Sequence, residues 1–207
     1  MKTPDELQAE YVQVMGKDLG ELCYDLRDDW DWLKEKWDEF RLLFLSGEER
    51  ITLLNTVASN FFYLLQKMMY EDAMLHLCRL TDSKETSKQA NVTVLRLHEL
   101  IADPTLKSSV QAAAEKARQD CTFARILRNK RLAHKGAVAP LTGATSAEVE
   151  TAMKSINSVL RLVEAHYKLP DAIILGDSFG AKKLLHYLQK GLDAQERSDG
   201  RVPKVSG

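Results

Sequence analysis

The residues of this chain that are best suited to chemistry lie in a basic stretch between Asp120 and Glu148, an interval without any acidic residue. Basic side chains three residues apart lie near one another along one side of a helix. Four of them have this spacing and would form a continuous cationic ridge: Arg125, Arg128, Arg131 and His134. Lys130 and Lys135 belong to the same stretch. Because guanidinium and ammonium groups bind phosphate oxygens, the ridge predicts a phosphate site.

Phosphate chemistry with these residue types suits RNA, because RNA carries its own nucleophile, the 2′-hydroxyl, beside the phosphate to be cut. Such a reaction needs no metal ion. A histidine near its ordinary pKa can move a proton at neutral pH, which is the role expected of His134. A guanidinium such as that of Arg128 can hold two phosphate oxygens as negative charge builds in the transition state, and Asn129 can orient either partner.

The same basic residues also have a purely structural interpretation. Lys, Arg and His are favoured in the last turn of a helix, where they meet free carbonyl groups and the negative end of the helix dipole. The helical pattern fades near Gly136 and Pro140, only a few residues after His134. Spacing alone therefore leaves catalysis and helix termination as open alternatives.

Helices must position this stretch, because apolar residues step by three and four along most of the chain. One stripe predicts a helix core in which two tryptophans are buried, with Trp32 off the stripe: Leu26, Trp30, Leu33, Trp37, Phe40 and Phe44. A second stripe predicts the apolar face of a long helix that ends near Asp82: Leu54, Val57, Phe61, Leu64, Met68, Leu75 and Cys78. Only residues 172–175 could form a strand, so the sequence predicts an all-α bundle of six or seven helices.

Capping residues predict where these helices begin. The predicted caps are Ser46 with Glu49, Asn91, Asp103 before Pro104, Thr145 with Glu148, and Asp177 or Ser178. Near the start of the chain, Gly16 and Gly20 are four residues apart, which indicates either close packing of another helix or a tolerated kink. We expect one helical domain over residues 1–140, a helical extension over 141–197 packed on the same core, and a disordered tail over 198–207.

Composition excludes several classes of protein. The 29 Lys and Arg residues nearly balance the 30 Asp and Glu residues, so no global field draws the chain to nucleic acid or membrane. The three cysteines Cys23, Cys78 and Cys121 are widely separated in apolar patterns, which indicates core thiols in a reducing compartment. The sequence shows neither a signal peptide nor a membrane span, and we expect a cytoplasmic protein without membrane contact.

Three other patterns carry weaker signals. Gly176 to Gly180 fits the Gly-x-Ser-x-Gly elbow of a hydrolase, but the chain before it is helical and His186 precedes Asp193, which is the wrong order for a triad. The histidines outside the basic stretch have neither partners nor spacing for a metal site. Arg79 and Asp82, three residues apart at a helix end, are predicted to be an ordinary side-chain pair rather than a second layer of residues that supports a catalytic site.

The segment Arg128-Asn129-Lys130-Arg131-Leu132-Ala133-His134 resembles the signature of HEPN domains, in which four to six residues separate an arginine, often followed by a polar residue, from a histidine. The chain also resembles the AbiU-type branch, which is linked to abortive phage infection. The segments that carry this second resemblance lie within residues 5–140: Gly16 to Gly20, Trp37 with Phe40 and Phe44, Leu53 to Asn55, Phe61 with Phe62, Arg79 to Asp82, and Asn91 to Leu95.

This resemblance implies an HEPN-like helical bundle with additional C-terminal helices, a homodimer that brings two motifs together, and cleavage of RNA without metal or cofactor. It implies that Arg128 stabilises the phosphorane, that His134 acts in proton transfer or phosphate orientation, and that Asn129 positions them. The remaining cations are expected to bind substrate: Arg125, Lys130, Arg131 and Lys135. A defence toxin with an antitoxin or partner protein is one expectation, and a non-catalytic HEPN module that binds nucleotide, RNA or protein is the alternative.

Overall fold

The structure is a computed structural model that describes residues 2–129, 144–169, 180–198 and 200. Within these residues the chain forms eight α-helices and one small antiparallel sheet, which confirms the all-α class with more helices than the six or seven predicted. The elements are α1 (Pro4–Met15), α2 (Lys17–Phe44), α3 (Glu48–Thr81), β1 (Glu85–Thr86), β2 (Gln89–Ala90), α4 (Val94–Leu100), α5 (Pro104–Asp120), α6 (Thr122–Leu127), α7 (Ser146–His166) and α8 (Gly180–Ser198). No helix in the described ranges is long and apolar enough to cross a bilayer.

The chain divides into two compact units. The first contains residues 1–34 and 72–174, and the second contains residues 35–71 and 175–207. The division at residue 140 that the sequence suggested stays a prediction, as does a disordered tail. In the first unit, α5 packs against α4 and α7, and these helices bury apolar side chains such as Val110, Ile156 and Leu160.

A buried network of charged and polar groups joins α1, α2 and α7 in the first unit. Arg27 donates from Nε to Glu164 Oε1 at 2.7 Å and from Nη2 to Oε2 at 2.6 Å. Tyr11 donates its hydroxyl to Glu164 Oε1 at 2.9 Å, and Arg27 Nη1 donates to Asn157 Oδ1 at 2.9 Å. The side chains of Arg27 and Glu164 are each 3% exposed. A buried charge persists where such hydrogen bonds offset its desolvation, so this network specifies how the three helices meet.

The two glycines near the start of the chain have different roles. Gly16 lies between α1 and α2 with φ 82°, a left-handed conformation that glycine adopts without steric cost, and it ends α1. Gly20 lies inside α2, where an added Cβ would come within 2.6 Å of Val12 Cα and 2.7 Å of the Tyr11 carbonyl atoms. The close-packing alternative is therefore confirmed at Gly20, and Gly16 separates two helices instead of kinking one.

The first apolar stripe is confirmed. Leu26, Leu33, Trp37, Phe40 and Phe44 are buried, and Trp32, which lies off the stripe, is 55% exposed. Trp30 is half-buried: its Nε1 donates to the carbonyl oxygen of Met153 at 3.1 Å.

The second stripe is wrong in the middle of α3. Val57, Phe61, Leu64, Met68 and Leu75 are exposed, and the residues that α3 buries include Phe62, Ala73, Met74, Leu77 and Leu80. The backbone of Ala58 has the non-helical angles φ −161° and ψ 71°. This kink rotates the helix after residue 58, and a single continuous stripe through it assigns the wrong face.

Helix starts agree with the predicted caps at two positions. Thr145 and Glu148 form a capping box at the start of α7. Asp103 caps α5, which begins at Pro104, because its carboxylate accepts a hydrogen bond from the Leu106 amide. Ser46 instead donates to the carbonyl oxygen of Arg41, so it completes the end of α2 and not the start of α3. In the second unit the Ala181 amide of α8 donates to Glu39 Oε2 at 2.5 Å, whereas the predicted caps Asp177 and Ser178 lie outside the described residues.

The segment between α3 and α4 contains the small sheet, which the sequence did not predict, since it indicated a strand only at residues 172–175, outside the described residues. Ser87 and Lys88 have φ 51° and 66°, the left-handed pair of a tight hairpin turn. Thr93, not Asn91, caps α4, and its hydroxyl oxygen also lies 3.1 Å from the Leu80 carbonyl oxygen and 2.9 Å from that of Asp82. Asn91 Nδ2 instead donates to the Ser83 carbonyl oxygen at 2.7 Å. Fully buried Thr93 therefore fixes the end of α3.

Candidate functional site

The basic stretch begins with a new short helix. The backbone turns at Cys121, where φ is −89° and ψ is 10°, so α5 ends and α6 starts. Ala124 and Leu127 of α6 are buried. Arg125 follows Ala124, and Arg128 follows Leu127, so the two half-buried arginines form a row beside the row of buried residues. Anchoring of the apolar row therefore fixes where the two guanidinium groups emerge.

Arg128 is held by an acidic side chain from the end of α3. Its Nη1 donates to both carboxylate oxygens of Asp82, at 2.9 Å and 2.6 Å. The two side chains are 30% and 31% exposed, so the pair lies at the surface and water or a ligand can reach it. Arg128 Nε donates to Asn129 Oδ1 at 3.3 Å. Asn129 thus contacts Arg128, and its role in orienting Arg128 stays a prediction.

Both terminal nitrogens of the Arg125 guanidinium donate hydrogen bonds within the fold. Nη1 donates to Thr81 Oγ1 at 3.0 Å, and Nη2 donates to the carbonyl oxygen of Arg118. These bonds join the end of α3 to the junction of α5 and α6. They give Arg125 a structural role, and its contact with substrate stays a prediction.

Both arginines approach the carboxyl end of α3. Helix carbonyls carry partial negative charge there, which favours cations, and the Asp82 carboxylate increases that charge. Thr93 binds the carbonyl oxygens of Leu80 and Asp82 at the same helix end. The acceptor of the Arg128 guanidinium is therefore fixed by a helix end and by a buried threonine.

The cysteines near this site, Cys78 and Cys121, are unsuited to nucleophilic chemistry. Burial raises the pKa of the Cys78 thiol to about 11, although the positive charge of Arg128 opposes the shift. Burial likewise raises the pKa of Cys23 and of Cys121 to about 12. All three thiols are buried and unpaired with one another, which confirms their prediction as core residues.

The predicted pair of Arg79 and Asp82 is wrong. Arg79 Nη2 donates to Asp29 Oδ1 at 2.7 Å and lies 2.8 Å from His76 Nε2. Because α3 ends at Thr81, Asp82 lies beyond the helical surface and its carboxylate turns to Arg128. Sequence reasoning considered a supporting role for Asp82 but favoured the local pair with Arg79, although the Arg79 to Asp82 segment was part of the family resemblance.

The structure places three of the predicted site residues: Arg125, Arg128 and Asn129. It brings them together at the end of α6. Lys130, Arg131, His134 and Lys135 lie outside the described residues, as does most of the Gly176 to Gly180 elbow. In the described part of the chain, no group of three His, Cys, Asp or Glu side chains is arranged to hold a metal ion.

A comparison with protein families finds a match for this chain. Searches of curated proteins and of solved structures find no match. The family profile described as AbiU2, of the HEPN type, matches residues 16–184. The match includes the whole basic stretch, and it continues past residue 140, where the resemblance seen in the sequence stopped. Since the profile covers most of the chain, this protein belongs to the AbiU2 family of HEPN domains.

Proposed function

We propose that this protein is an endoribonuclease that cuts RNA through attack of the 2′-hydroxyl on the neighbouring phosphate. The observation that carries the proposal is the Arg128 side chain. It opens the arginine-to-histidine motif of an HEPN-family chain, it is partly exposed, and it is held in place by Asp82 and Asn129. A guanidinium fixed before the reaction can stabilise a developing phosphorane without reorganisation in the transition state.

In this mechanism Arg128 binds the non-bridging oxygens of the scissile phosphate. His134 either takes the proton from the attacking 2′-hydroxyl or gives a proton to the leaving 5′-oxygen, and Asn129 orients Arg128 through its 3.3 Å contact. Further cations bind neighbouring phosphates: Lys130, Arg131 and Lys135, with Arg125 as the supporting member of the row. The nucleophile comes from the RNA itself, so the reaction proceeds without a metal ion or cofactor.

The proposal includes a homodimer that brings two copies of the motif to one cleft, as well as a cytoplasmic role in abortive infection. Family membership supports the defence role. A nuclease with this role needs control, so an antitoxin or partner protein belongs to the proposal. The substrate is single-stranded or looped RNA, whose bases can be splayed into reach.

A second candidate is a non-catalytic binding module for nucleotide, RNA or protein. The contacts of Arg125 and Arg128 favour it, because Thr81 and Asp82 accept hydrogen bonds from these guanidinium groups, as acceptors of structural arginines do. A module would keep these contacts and would bind its ligand without changing it.

Incubation of mixed cellular RNA with the purified protein in excess chelator separates the two candidates. The nuclease predicts cleavage that falls about 10²- to 10³-fold in Arg128→Ala and at least about 10²-fold in His134→Ala. Arg118→Ala is the matched control, because Arg118 is a half-exposed arginine whose partner is Glu115. An inactive wild type, folded and tested on several RNA classes, would favour the module.

A further inference from the structure

The Arg128 guanidinium uses only part of its hydrogen-bonding capacity within the described chain. Nη1 makes both bonds to Asp82, and Nε donates to Asn129. Within the described residues Nη2 makes no bond. An arginine that simply neutralised a carboxylate would face it with two nitrogens, the fork geometry that this pair type favours. The one-nitrogen contact leaves Nη2 without a bond to Asp82.

Asp82 itself is firmly anchored. It follows the last residue of α3, and its carbonyl oxygen lies 2.9 Å from the hydroxyl of Thr93, which is fully buried. The next residue back, Thr81, is also buried and binds Arg125. The backbone that carries the carboxylate is therefore held by hydrogen bonds of buried residues, whereas an arginine side chain alone has several freely rotating bonds.

Charge also limits what Asp82 can do. A carboxylate beside a phosphate repels it, so Asp82 cannot improve substrate binding by contact. Its 2.6 Å bond to Nη1 can improve only the orientation of the guanidinium. Correct orientation matters in the transition state, because misplacement of a catalytic group by about 1 Å can cost roughly 10²-fold in rate.

We propose that Asp82 is a positioning residue that orients Arg128 through Nη1 and presents the Nη2 edge to the scissile phosphate. This inference rests on the proposed nuclease function. Asp82 does not touch the reacting atoms, and it does not block Arg128. Its carboxylate stays bound to Nη1 while the phosphate binds, so one guanidinium holds both the carboxylate and the phosphate.

Steady-state cleavage of a defined RNA by Asp82→Asn, Asp82→Ala and Asp82→Glu tests the proposal. Positioning predicts that kcat falls about 10- to 100-fold in Asp82→Ala while KM stays the same or decreases, because a negative charge has been removed. Asp82→Glu should recover part of the loss, and Asp82→Asn should retain less activity than Asp82→Glu. Glu115→Gln, which removes the partner of the half-exposed Arg118, is the control and should leave kcat unchanged.

Two outcomes would overturn the proposal. Faster cleavage by Asp82→Ala would show that the carboxylate blocks Arg128, and unchanged kcat in all three variants would show that Arg128 needs no support.

A spectroscopic measurement keeps the test independent of activity. In wild-type protein the ion pair should slow rotation of the Arg128 guanidinium, so that its side-chain NMR signals, assigned with Arg128→Lys, are sharp. Asp82→Asn should lose this signature, with the Arg118 signals unchanged. An inactive wild type with the signature would contradict the nuclease and leave the Asp82 contact supported. Equal rotation rates in wild type and Asp82→Asn would refute positioning even if the protein cleaves RNA.

Discussion

The two arginines that the structure describes in the motif share one neighbour, the carboxyl end of α3. Their positions could be predicted from the sequence, because Arg125 and Arg128 follow buried residues at the same three-residue spacing. The groups that accept hydrogen bonds from these arginines could not be predicted. Asp82 is 46 residues from Arg128, and the nearer Arg79 offered a simpler local pair. The end of α3 at Thr81 decides that Asp82 binds Arg128 and not Arg79.

The buried Arg27–Glu164 pair gives a stability prediction. Glu164→Ala should destabilise the fold by about 3–5 kcal/mol, because it leaves the Arg27 guanidinium buried without its carboxylate. Arg27→Met combined with Glu164→Leu should cost much less, since neither member of the buried pair is left without the other. Urea unfolding of the three proteins measures the difference. A double variant that is as unstable as Glu164→Ala would contradict this account of the network.

Asp29 gives a pH dependence. Burial would raise the pKa of this carboxyl, but the hydrogen bond with His76 and the charge of Arg79 outweigh it and hold the pKa below its usual 3.8. A lowered folded pKa contributes stability that is present above about pH 4 and is lost as the pH falls through the folded value. The urea midpoint of the wild type should therefore fall more steeply below pH 4 than that of Asp29→Asn. If the urea midpoints of the two proteins fell equally with pH, the partners of Asp29 would contribute no stability.

At the level of helices, sequence periodicity was reliable where a helix is regular and failed where it is not. The stripe of α2 was predicted correctly, because that helix has no internal break. In α3 the non-helical backbone at Ala58 changes the buried face, and no residue type there signals it. Gly16 and Gly20 indicated a contact of helices, but only the geometry shows that one of them ends α1.

Adjacent phenylalanines in α3 test the corrected face. Phe62 is 5% exposed and Phe61 is 60% exposed. Phe62→Ala should destabilise the protein by about 3–5 kcal/mol, whereas Phe61→Ala should change stability by less than about 0.5 kcal/mol. Denaturant unfolding at low protein concentration compares them. An equal loss at Phe61 would mean that this face of α3 is covered in solution.

Gly20 tests the contact of α1 with α2. Alanine normally stabilises a helix by up to about 1 kcal/mol relative to glycine, and Gly191 of α8, where a Cβ meets open space, should show that gain. Gly20→Ala should instead destabilise by about 1–3 kcal/mol, because its Cβ would press on the backbone of Tyr11 and Val12. Thermal unfolding of both variants gives the comparison. A gain in stability at Gly20 would contradict the close approach.

At the level of the whole molecule, the family and the fold class could both be predicted from the sequence. The helical periodicity supports the all-α class, and the spacing from Arg128 to His134 supports the HEPN family, whose profile covers residues 16–184. Activity is a different matter. It depends on a pairing of motifs between two protomers and on a phosphate seated against Arg128, neither of which follows from the periodicity of one chain.

The most direct test of the proposed reaction uses an RNA oligonucleotide with one mapped cleavage position. In a matched substrate, the nucleotide on the 5′ side of that bond carries hydrogen in place of its 2′-hydroxyl. Attack by the 2′-hydroxyl predicts a 2′,3′-cyclic phosphate on the product of the normal RNA and no cut at that bond in the modified RNA, with chelator present in both. Cleavage of the modified bond at the normal rate would contradict the mechanism and its assignment to Arg128 and His134.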